Sequence, residues 1–256
     1  MGIIERKERE REARRGQILD AAQKVFQSRG LSQASMDDIA KEAELAKGTI
    51  YLYYKNKDEL LLGLILRGFE ILDDIMVEFT SAKPTGLERI VAVGESYRTF
   101  SQKETFLFSL MNVSEPPPKS NISSELIDEL ARLTQKIWSA FYSFTEQAKA
   151  EGDLKAEVNG ITLVLTLWLS STGVLRMYNK AVCSPENNAF AARKGGMHLE
   201  YLDWPYVYDT TMRMLLETAV TDQGRARLAP LEWKTNEQMG LTFETLPHTE
   251  AELQVA

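Results

Sequence analysis

The stretch SMDDIAKEAELAKGTIYLYYKNK, residues Ser35–Lys57, decides how the whole chain is interpreted. It opens with a Ser-x-x-Asp capping box at Ser35 and Asp38, followed by apolar positions that fit about two helical turns. A second short helix is predicted from Lys47 to about Tyr54. Two short helices joined by a brief turn, the first rich in alanine, predict a helix-turn-helix.

The second of these helices is unusual for a purely structural element. Gly48 lies in its first turn, where glycine costs about 1 kcal/mol relative to alanine. Residues 47–57 contain three lysines and no acidic residue, whereas the chain as a whole has a net charge of −7. A helix this unfavourable must be held by packing, through Ile50 and Tyr54, which leaves its other face available to a partner.

The residues of that face suit contact with DNA. Gly48 lets the backbone approach the groove wall, and Thr49 offers a hydroxyl and a methyl group to base edges. Lys57 lies in the first turn of the next helix, where a cation is disfavoured unless a phosphate binds there too. For any single residue, a solvated lysine or a tyrosine at the edge of the core remains an alternative, but the whole arrangement favours DNA. The predicted DNA-contacting residues are Ser35, Lys47, Gly48, Thr49, Tyr51, Tyr53 and Lys57.

Residues 14–66 resemble the DNA-binding domain of the TetR family of transcriptional regulators. The motifs that carry the resemblance are AAQKVFQSRG, SMDDIAKEA and KGTIYLYYKNKDELL. The resemblance implies a homodimer whose third helix enters the major groove and whose later helices bind a ligand and dimerise. Two positions depart from the family pattern. Glu44 stands where the family often has glycine, and Ala46 stands where serine commonly caps the recognition helix, a loss worth about 0.5–2 kcal/mol.

The remainder of the chain also has helical periodicity, without alternating strand-like segments, so an all-α fold is predicted: a three-helix head followed by a larger helical bundle. The predicted domains are an N-terminal arm (1–13), a DNA-binding domain (14–66), a ligand-binding and dimerisation domain (67–221) and a loosely docked tail (222–256). The arm mixes arginine, lysine and glutamate, and is either a solvated helix start or a basic arm that reaches phosphates. The first helix is expected to end near Arg29, before Gly30. Later helices are predicted over residues 87–101, 103–113, 124–150, 157–178 and 199–221, with an extended loop at 116–118 and a mobile loop at 180–197.

Composition narrows the class of protein. Residues 1–60 carry 12 basic and 11 acidic side chains, which leaves 18 basic and 26 acidic in residues 61–256, so the acidity lies outside the predicted head. One cysteine and two histidines exclude an internal disulfide and a closed structural zinc site, and no cofactor motif is visible. No secretory signal is present, which predicts a cytoplasmic protein.

Two other classes of protein are alternatives to a regulator. Val158–Leu175 is free of charged residues and reaches the lower limit for a transmembrane helix, but its recurring polar residues favour a helix buried in a bundle or a subunit interface. A membrane-associated helical protein is therefore the first alternative. A helical-bundle enzyme is the second, although no nucleophile, metal or phosphate motif supports it, and we predict no enzymatic activity.

The predicted function is a sequence-specific repressor that a small lipophilic effector releases from a pseudo-palindromic operator. The homodimer is expected to form through the last two long helices, 157–178 and 199–221. Aromatic residues in the middle of the chain could line an apolar effector pocket, or belong to the core of the bundle. The candidate ligand-binding residues are Phe108, Met111, Trp138, Phe141 and Trp168.

Overall fold

The computed structural model describes residues 2–112, 121–183 and 202–231. These residues form helices and no β-strand, which confirms the all-α prediction. A single antiparallel bridge joins Leu154 and Val220. The helices of the described residues are α1 (Ile3–Gln33), α2 (Met36–Glu42), α3 (Lys47–Tyr53), α4 (Lys57–Ser81), α5 (Gly86–Lys103), α6 (Thr105–Met111), α7 (Ser124–Ala150), α8 (Gly160–Tyr178), α9 (Trp204–Ala219) and α10 (Asp222–Leu228). A π-helical turn, Asn179–Cys183, follows α8.

The first helix is long but broken near its end. Gly30 has φ +77° and ψ 161°, outside helical geometry, and one further turn runs to Gln33. The predicted end of the helix near Arg29 therefore coincides with this break, which glycine permits because it lacks a Cβ. The predicted arm, residues 1–13, is largely the exposed start of α1, where Arg6 pairs with Glu10 at 2.9 Å.

The described residues divide into two compact units. The first contains the chain up to Asp74 together with Glu104–Ile137, and the second contains Ile75–Lys103 together with the described residues from Trp138 onward. The first unit thus continues beyond residue 66 and includes α6 and the first half of α7. The predicted functional boundary between residues 66 and 67 stays a prediction.

The core of the first unit is built from one apolar stripe of each short helix and of α1 and α4. The apolar stripe of α1, Ile18, Leu19, Ala22, Val25 and Phe26, is buried, and α2 of the helix-turn-helix packs on α1. Leu62 and Leu66 of α4 also pack against Leu126 of α7. The apolar side chains that are at most 2% exposed here are Ile18, Ala22, Phe26, Ile39, Ile50, Tyr54, Leu60 and Leu64, and those of α6 are Leu107 and Phe108.

The second unit buries polar groups as well as apolar ones. The hydroxyl of Tyr208 donates to the carbonyl oxygen of Gly94 at 2.8 Å, and its burial raises the pKa of the phenol. Arg98 pairs with Asp209 at 2.8 Å beside the Tyr208 ring. These satisfied buried groups link α5 to α9 within the unit.

The C-terminal prediction needs a correction. The expected loose tail begins with α10, which is capped by Thr221 and docked on the loop after α7. Gln223 donates to the Asp153 carboxylate at 2.9 Å, and Gly224 packs so closely that a Cβ there would overlap the Asp153 carbonyl oxygen. Periodicity missed this helix because it is short and mostly polar. Residues 232–256, the predicted loop at 116–118 and most of the loop at 180–197 lie outside the described residues.

Helix α8 is the longest apolar helix of the described chain. By length and composition, Gly160–Ala181 could cross a membrane. Its buried face packs on α5 and α9, whereas its outer face is apolar and exposed. Ile161, Leu165, Leu169 and Met177, the four large side chains of this outer face, are 42–60% exposed.

Candidate nucleic-acid interface

Helices α2 and α3 are joined by a tight turn with a strained residue. The amide of Leu45 donates to the carbonyl oxygen of Ala40 at 3.0 Å, which closes the end of α2. Glu44 has φ +53° and is the only non-glycine residue with a positive φ among those described. A side chain in this left-handed conformation costs roughly 1–2 kcal/mol. The glycine that the family often has here would relieve that strain.

The predicted capping box of α2 is present. The amide of Asp38 donates to Ser35 Oγ at 3.2 Å, and Ser35 Oγ donates to Asp38 Oδ2 at 2.6 Å. This hydrogen bond and the nearby Arg29 guanidinium, 2.6 Å away, lower the pKa of Asp38. Ser35 is exposed at the start of α2, as a contact with DNA would require.

Helix α3 is held by very few side chains. Ile50 is fully buried and Tyr54, directly after the helix, is 1% exposed. Ala46 provides no side-chain cap, as its position in the sequence predicted. The first unit therefore holds this helix through one side and through its C-terminal end, and the rest of the helix surface faces outward.

The outward surface carries most of the predicted DNA-contacting residues. Tyr51 is 43% exposed, Lys47 and Gly48 are exposed, and Thr49 and Tyr53 are partly exposed. Leu52, which was not among the predicted residues, is 83% exposed. The sequence already indicated this exposure, because Leu52 lies two residues after Ile50 and therefore off the buried side of the helix. An apolar side chain held in water on this helix is available to a thymine methyl group.

The charge of this surface is lower than the sequence suggests. The ammonium of Lys47 pairs with the Asp37 carboxylate of α2 at 2.5 Å, and this partner raises the pKa of Lys47. Both side chains are more than half exposed, so the pair contributes little to stability and can be exchanged for a phosphate. Lys55 is exposed just after α3.

Lys57 differs from the prediction. Its ammonium donates to three backbone carbonyl oxygens, those of Leu31 at 2.7 Å, Ala34 at 3.3 Å and Ser32 at 3.4 Å. These are the three donors of a lysine, so none is left for a phosphate in this structure. The cation that α4 disfavours at its N-terminus is instead stabilised by the carbonyl groups at the end of α1. Lys57 thus holds the segment that leads into α2.

The candidate ligand-binding residues fall in both units. In the first, Phe108 is 1% exposed and Met111 packs against Gly68, whose missing side chain makes room for it. In the second, Phe141 is 7% exposed and Trp138 meets Trp168 edge to face, with ring centroids 5.2 Å apart. Phe108 and Phe141 are thus buried core side chains, whereas Met111, Trp138 and Trp168 are partly exposed, and a ligand-binding role for all five stays a prediction.

Comparison with known proteins supports the assignment of the N-terminal region. Residues 18–64 match the family described as bacterial regulatory proteins, tetR family. The chain is 39% identical over 77 residues to the fatty acid metabolism regulator protein of Bacillus subtilis, an alignment that covers 30% of this chain and 40% of that protein. It is 26% identical over 168 residues to the transcriptional repressor BepR of Brucella suis, covering 62% and 77% respectively.

Solved structures extend the similarity beyond the N-terminal region. The structure of FadR from Bacillus subtilis in complex with stearoyl-CoA superposes with a TM-score of 0.58 and 19% identity, covering 78% of this chain and 96% of that one. At this identity the similarity establishes the fold alone. The sequence alignment to the Bacillus subtilis regulator, by contrast, spans only two fifths of that protein.

The exposed α3, the capped α2 and the helical remainder define a helix-turn-helix protein with additional α-helices. The matched N-terminal region then identifies the family of that region: residues 18–64 belong to the tetR family of bacterial regulatory proteins.

Proposed function

We propose that the protein is a transcriptional repressor that binds operator DNA by placing α3 in the major groove. The single observation that carries the proposal is the surface of α3: only Ile50 is buried, while the other residues are exposed or partly exposed and none of them is acidic. Thr49 would contact base edges, Gly48 would allow close approach, and the hydroxyl groups of Tyr51 and Tyr53 would donate to phosphates.

Contacts beside α3 complete the proposed interface. Ser35 would meet a phosphate at the start of α2, and Lys47 would leave Asp37 for a phosphate oxygen. Leu52 is added to the contacts predicted from the sequence, because of its exposure. Lys57 supports this surface through the Leu31–Ala34 segment.

A homodimer through α8 and α9 is part of the proposal. The exposed side chains of Ile161, Leu165 and Leu169 recur every four residues and so lie along one side of α8, and Met177 is exposed nearer its C-terminal end. Met214 of α9 is 64% exposed. Binding to a pseudo-palindromic operator would require the two recognition helices of such a dimer to lie about 34–36 Å apart.

The proposed effector is a small lipophilic molecule, and release is by population shift. The names of two similar proteins support this class, one a fatty acid metabolism regulator and the other solved with stearoyl-CoA. The candidate residues Phe108, Met111, Trp138, Phe141 and Trp168 are aromatic or flexible and apolar, as an acyl chain requires. An effector coupling of about 1–3 kcal/mol would change operator affinity roughly 5- to 150-fold.

The experiment that tests DNA binding selects a duplex from random sequences and measures affinity by fluorescence anisotropy as salt is varied. We expect affinity to fall steeply with salt, and stearoyl-CoA, as the probe, to weaken it. Thr49→Ala should relax base preference at one position of each half-site, whereas Lys47→Ala should weaken binding to all sequences alike and reduce the salt slope by about 0.9. Failure to enrich any sequence would reject the proposal.

A separate measurement tests the dimer and the location in the cytoplasm. Leu169→Glu places a charge on the exposed face of α8 and should shift sedimentation to the monomer. Val77→Glu, at a similarly exposed apolar position on α4, should leave the dimer intact. Recovery of the wild-type protein without detergent would support the assignment, and recovery only from the membrane fraction would favour the membrane-associated alternative that the apolar α8 raises.

A further inference from the structure

Glu59 is a buried carboxylate that joins two distant segments of the first unit. It lies in the first turn of α4 and is 2% exposed. Its Oε2 accepts from the amide of Lys55 at 2.6 Å, and its Oε1 accepts from the amide of Ser123 at 3.0 Å. Lys55 follows α3 directly after Tyr54, and Ser123 precedes α7. One carboxylate therefore binds the end of the recognition helix and the start of α7 at the same time.

A second connection runs beside the first. The side-chain amide of Asn56 donates to the carbonyl oxygen of Asn121 at 2.7 Å, and the side-chain amide of Asn121 donates to Asp58 at 2.9 Å. We call these two connections the α3–α7 clasp, formed by Lys55, Asn56, Asp58 and Glu59 on one side and by Asn121 and Ser123 on the other. Below the clasp, Leu126 packs on α4, and Glu129 of α7 pairs with Arg15 of α1 at 3.8 Å.

The geometry makes the clasp stiff. A carboxylate is planar and its two oxygens are fixed relative to each other, so its partners cannot move independently without losing a hydrogen bond. Such charge-assisted bonds offset the cost of burying the carboxylate, and a lost one leaves a buried acceptor unsatisfied. The amides of Lys55 and Ser123 should therefore move together or not at all.

We propose that Glu59 is a positioning residue that couples the orientation of α3 to the start of α7. The inference rests on the proposed function, because it concerns how DNA binding is communicated to the helix that also carries Trp138 and Phe141. A change at the N-terminus of α7 reaches α3 through this carboxylate, and DNA bound to α3 fixes the N-terminus of α7 in turn.

The test is amide hydrogen exchange of the full chain, with and without a duplex selected by the wild-type protein. In the wild type, DNA should slow exchange at least threefold in residues 121–126 as well as in residues 47–59. In Glu59→Gln, whose side-chain amide cannot accept from both N–H groups, DNA should still slow exchange in α3 but not in residues 121–126. Asn121→Ala, at an exposed position, removes the side-chain bond to Asp58 but keeps the backbone carbonyl that accepts from Asn56, and should reduce the effect partly if Glu59→Gln does not fold.

The control is Glu88→Gln. Glu88 occupies the same position in the first turn of α5, but it accepts from Thr85, within its own capping box. This variant should keep the DNA-dependent slowing at residues 121–126. Equal slowing there in wild type and Glu59→Gln, or none in the wild type, would overturn the inference while DNA binding itself stands. Absence of DNA binding by the wild type would instead reject the proposed function and this inference together.

Discussion

Helices α2 and α3 have the same length, seven residues, and neighbour each other in the first unit, yet they are stabilised in different ways. Helix α2 has a reciprocal cap between Ser35 and Asp38, two acidic residues in its first turn, and two buried side chains. Helix α3 has no side-chain cap, no acidic residue in its first turn, and one buried side chain, Ile50.

The difference reflects what each helix must leave at its surface. Acidic residues at a helix N-terminus stabilise it, but they also repel phosphate. Helix α2 can carry acidic residues because only its cap, Ser35, is proposed to meet a phosphate, while the rest of the helix supports α3. In α3 the same positions carry Lys47, Gly48 and Thr49, so the helix gives up local stabilisation and relies on the packing of its inner side.

The largest effect is expected from a substitution that removes the packing of α3 against the unit. Ile50→Ala should destabilise the protein by about 2–5 kcal/mol, because it deletes most of a fully buried side chain, and should abolish DNA binding. Leu52→Ala removes a similar side chain two residues away that is 83% exposed, and should change stability by less than about 0.5 kcal/mol. Urea unfolding of both variants checks the difference. Similar losses would show that α3 is not held mainly by Ile50.

The next largest effect on stability is expected where Lys57 binds the segment that leads into α2. Lys57→Met should cost about 1.5–3 kcal/mol, because the carbonyl groups of Leu31, Ser32 and Ala34 lose a charged donor. The salt slope of DNA binding should stay nearly unchanged, since the ammonium does not reach phosphate. Lys47→Met serves as the control, with little loss of stability and a slope lower by about 0.9. A reduced salt slope for Lys57→Met would instead support the contact between Lys57 and phosphate that the sequence predicted.

Exchanging the caps tests the comparison directly. Ser35→Ala should destabilise the protein by about 1 kcal/mol, because the amide of Asp38 loses its acceptor. Ala46→Ser should stabilise it by about the same amount, by supplying α3 with the cap it lacks. Thermal unfolding measures both. If Ala46→Ser has no effect, the start of α3 is limited by something other than its missing cap.

The smallest effect concerns the turn between the two helices. Glu44→Gly should stabilise the protein by roughly 0.5–1 kcal/mol, because relief of the positive φ exceeds the entropic cost of glycine. Glu42→Gly, the same substitution inside α2, should destabilise it by about 1 kcal/mol. Chemical denaturation distinguishes opposite signs easily, and loss of stability in both variants would mean that Glu44 is not strained.

The parts of this architecture that were predictable depend on local signals. The cap at Ser35, the break at Gly30 and the missing cap at Ala46 each follow from residues a few positions apart, and helical periodicity located α7 and α8. The exposure of Tyr51 was also predictable, because Ile50 fixes which side of a short helix is buried.

The remaining features depend on contacts between distant residues. The partners of Lys57 lie 23–26 positions away, and Ser123 lies 64 positions from Glu59. Periodicity states which side of a helix is apolar, but it does not state which distant backbone groups a polar side chain meets. For this reason the sequence suggested a phosphate as the partner of Lys57 and gave no sign that Glu59 would meet Ser123.

Helix α10 sets a limit on how far the chain can be shortened. Asp153 is fully buried, and its carboxylate accepts from Gln223 and pairs with Arg227, both on α10. A fragment that ended at residue 221 would leave this anion inside the protein without either partner. The smallest fragment that keeps the second unit intact should therefore extend at least to Leu228, and proteolysis that removes α10 should be followed by rapid degradation of the rest of that unit.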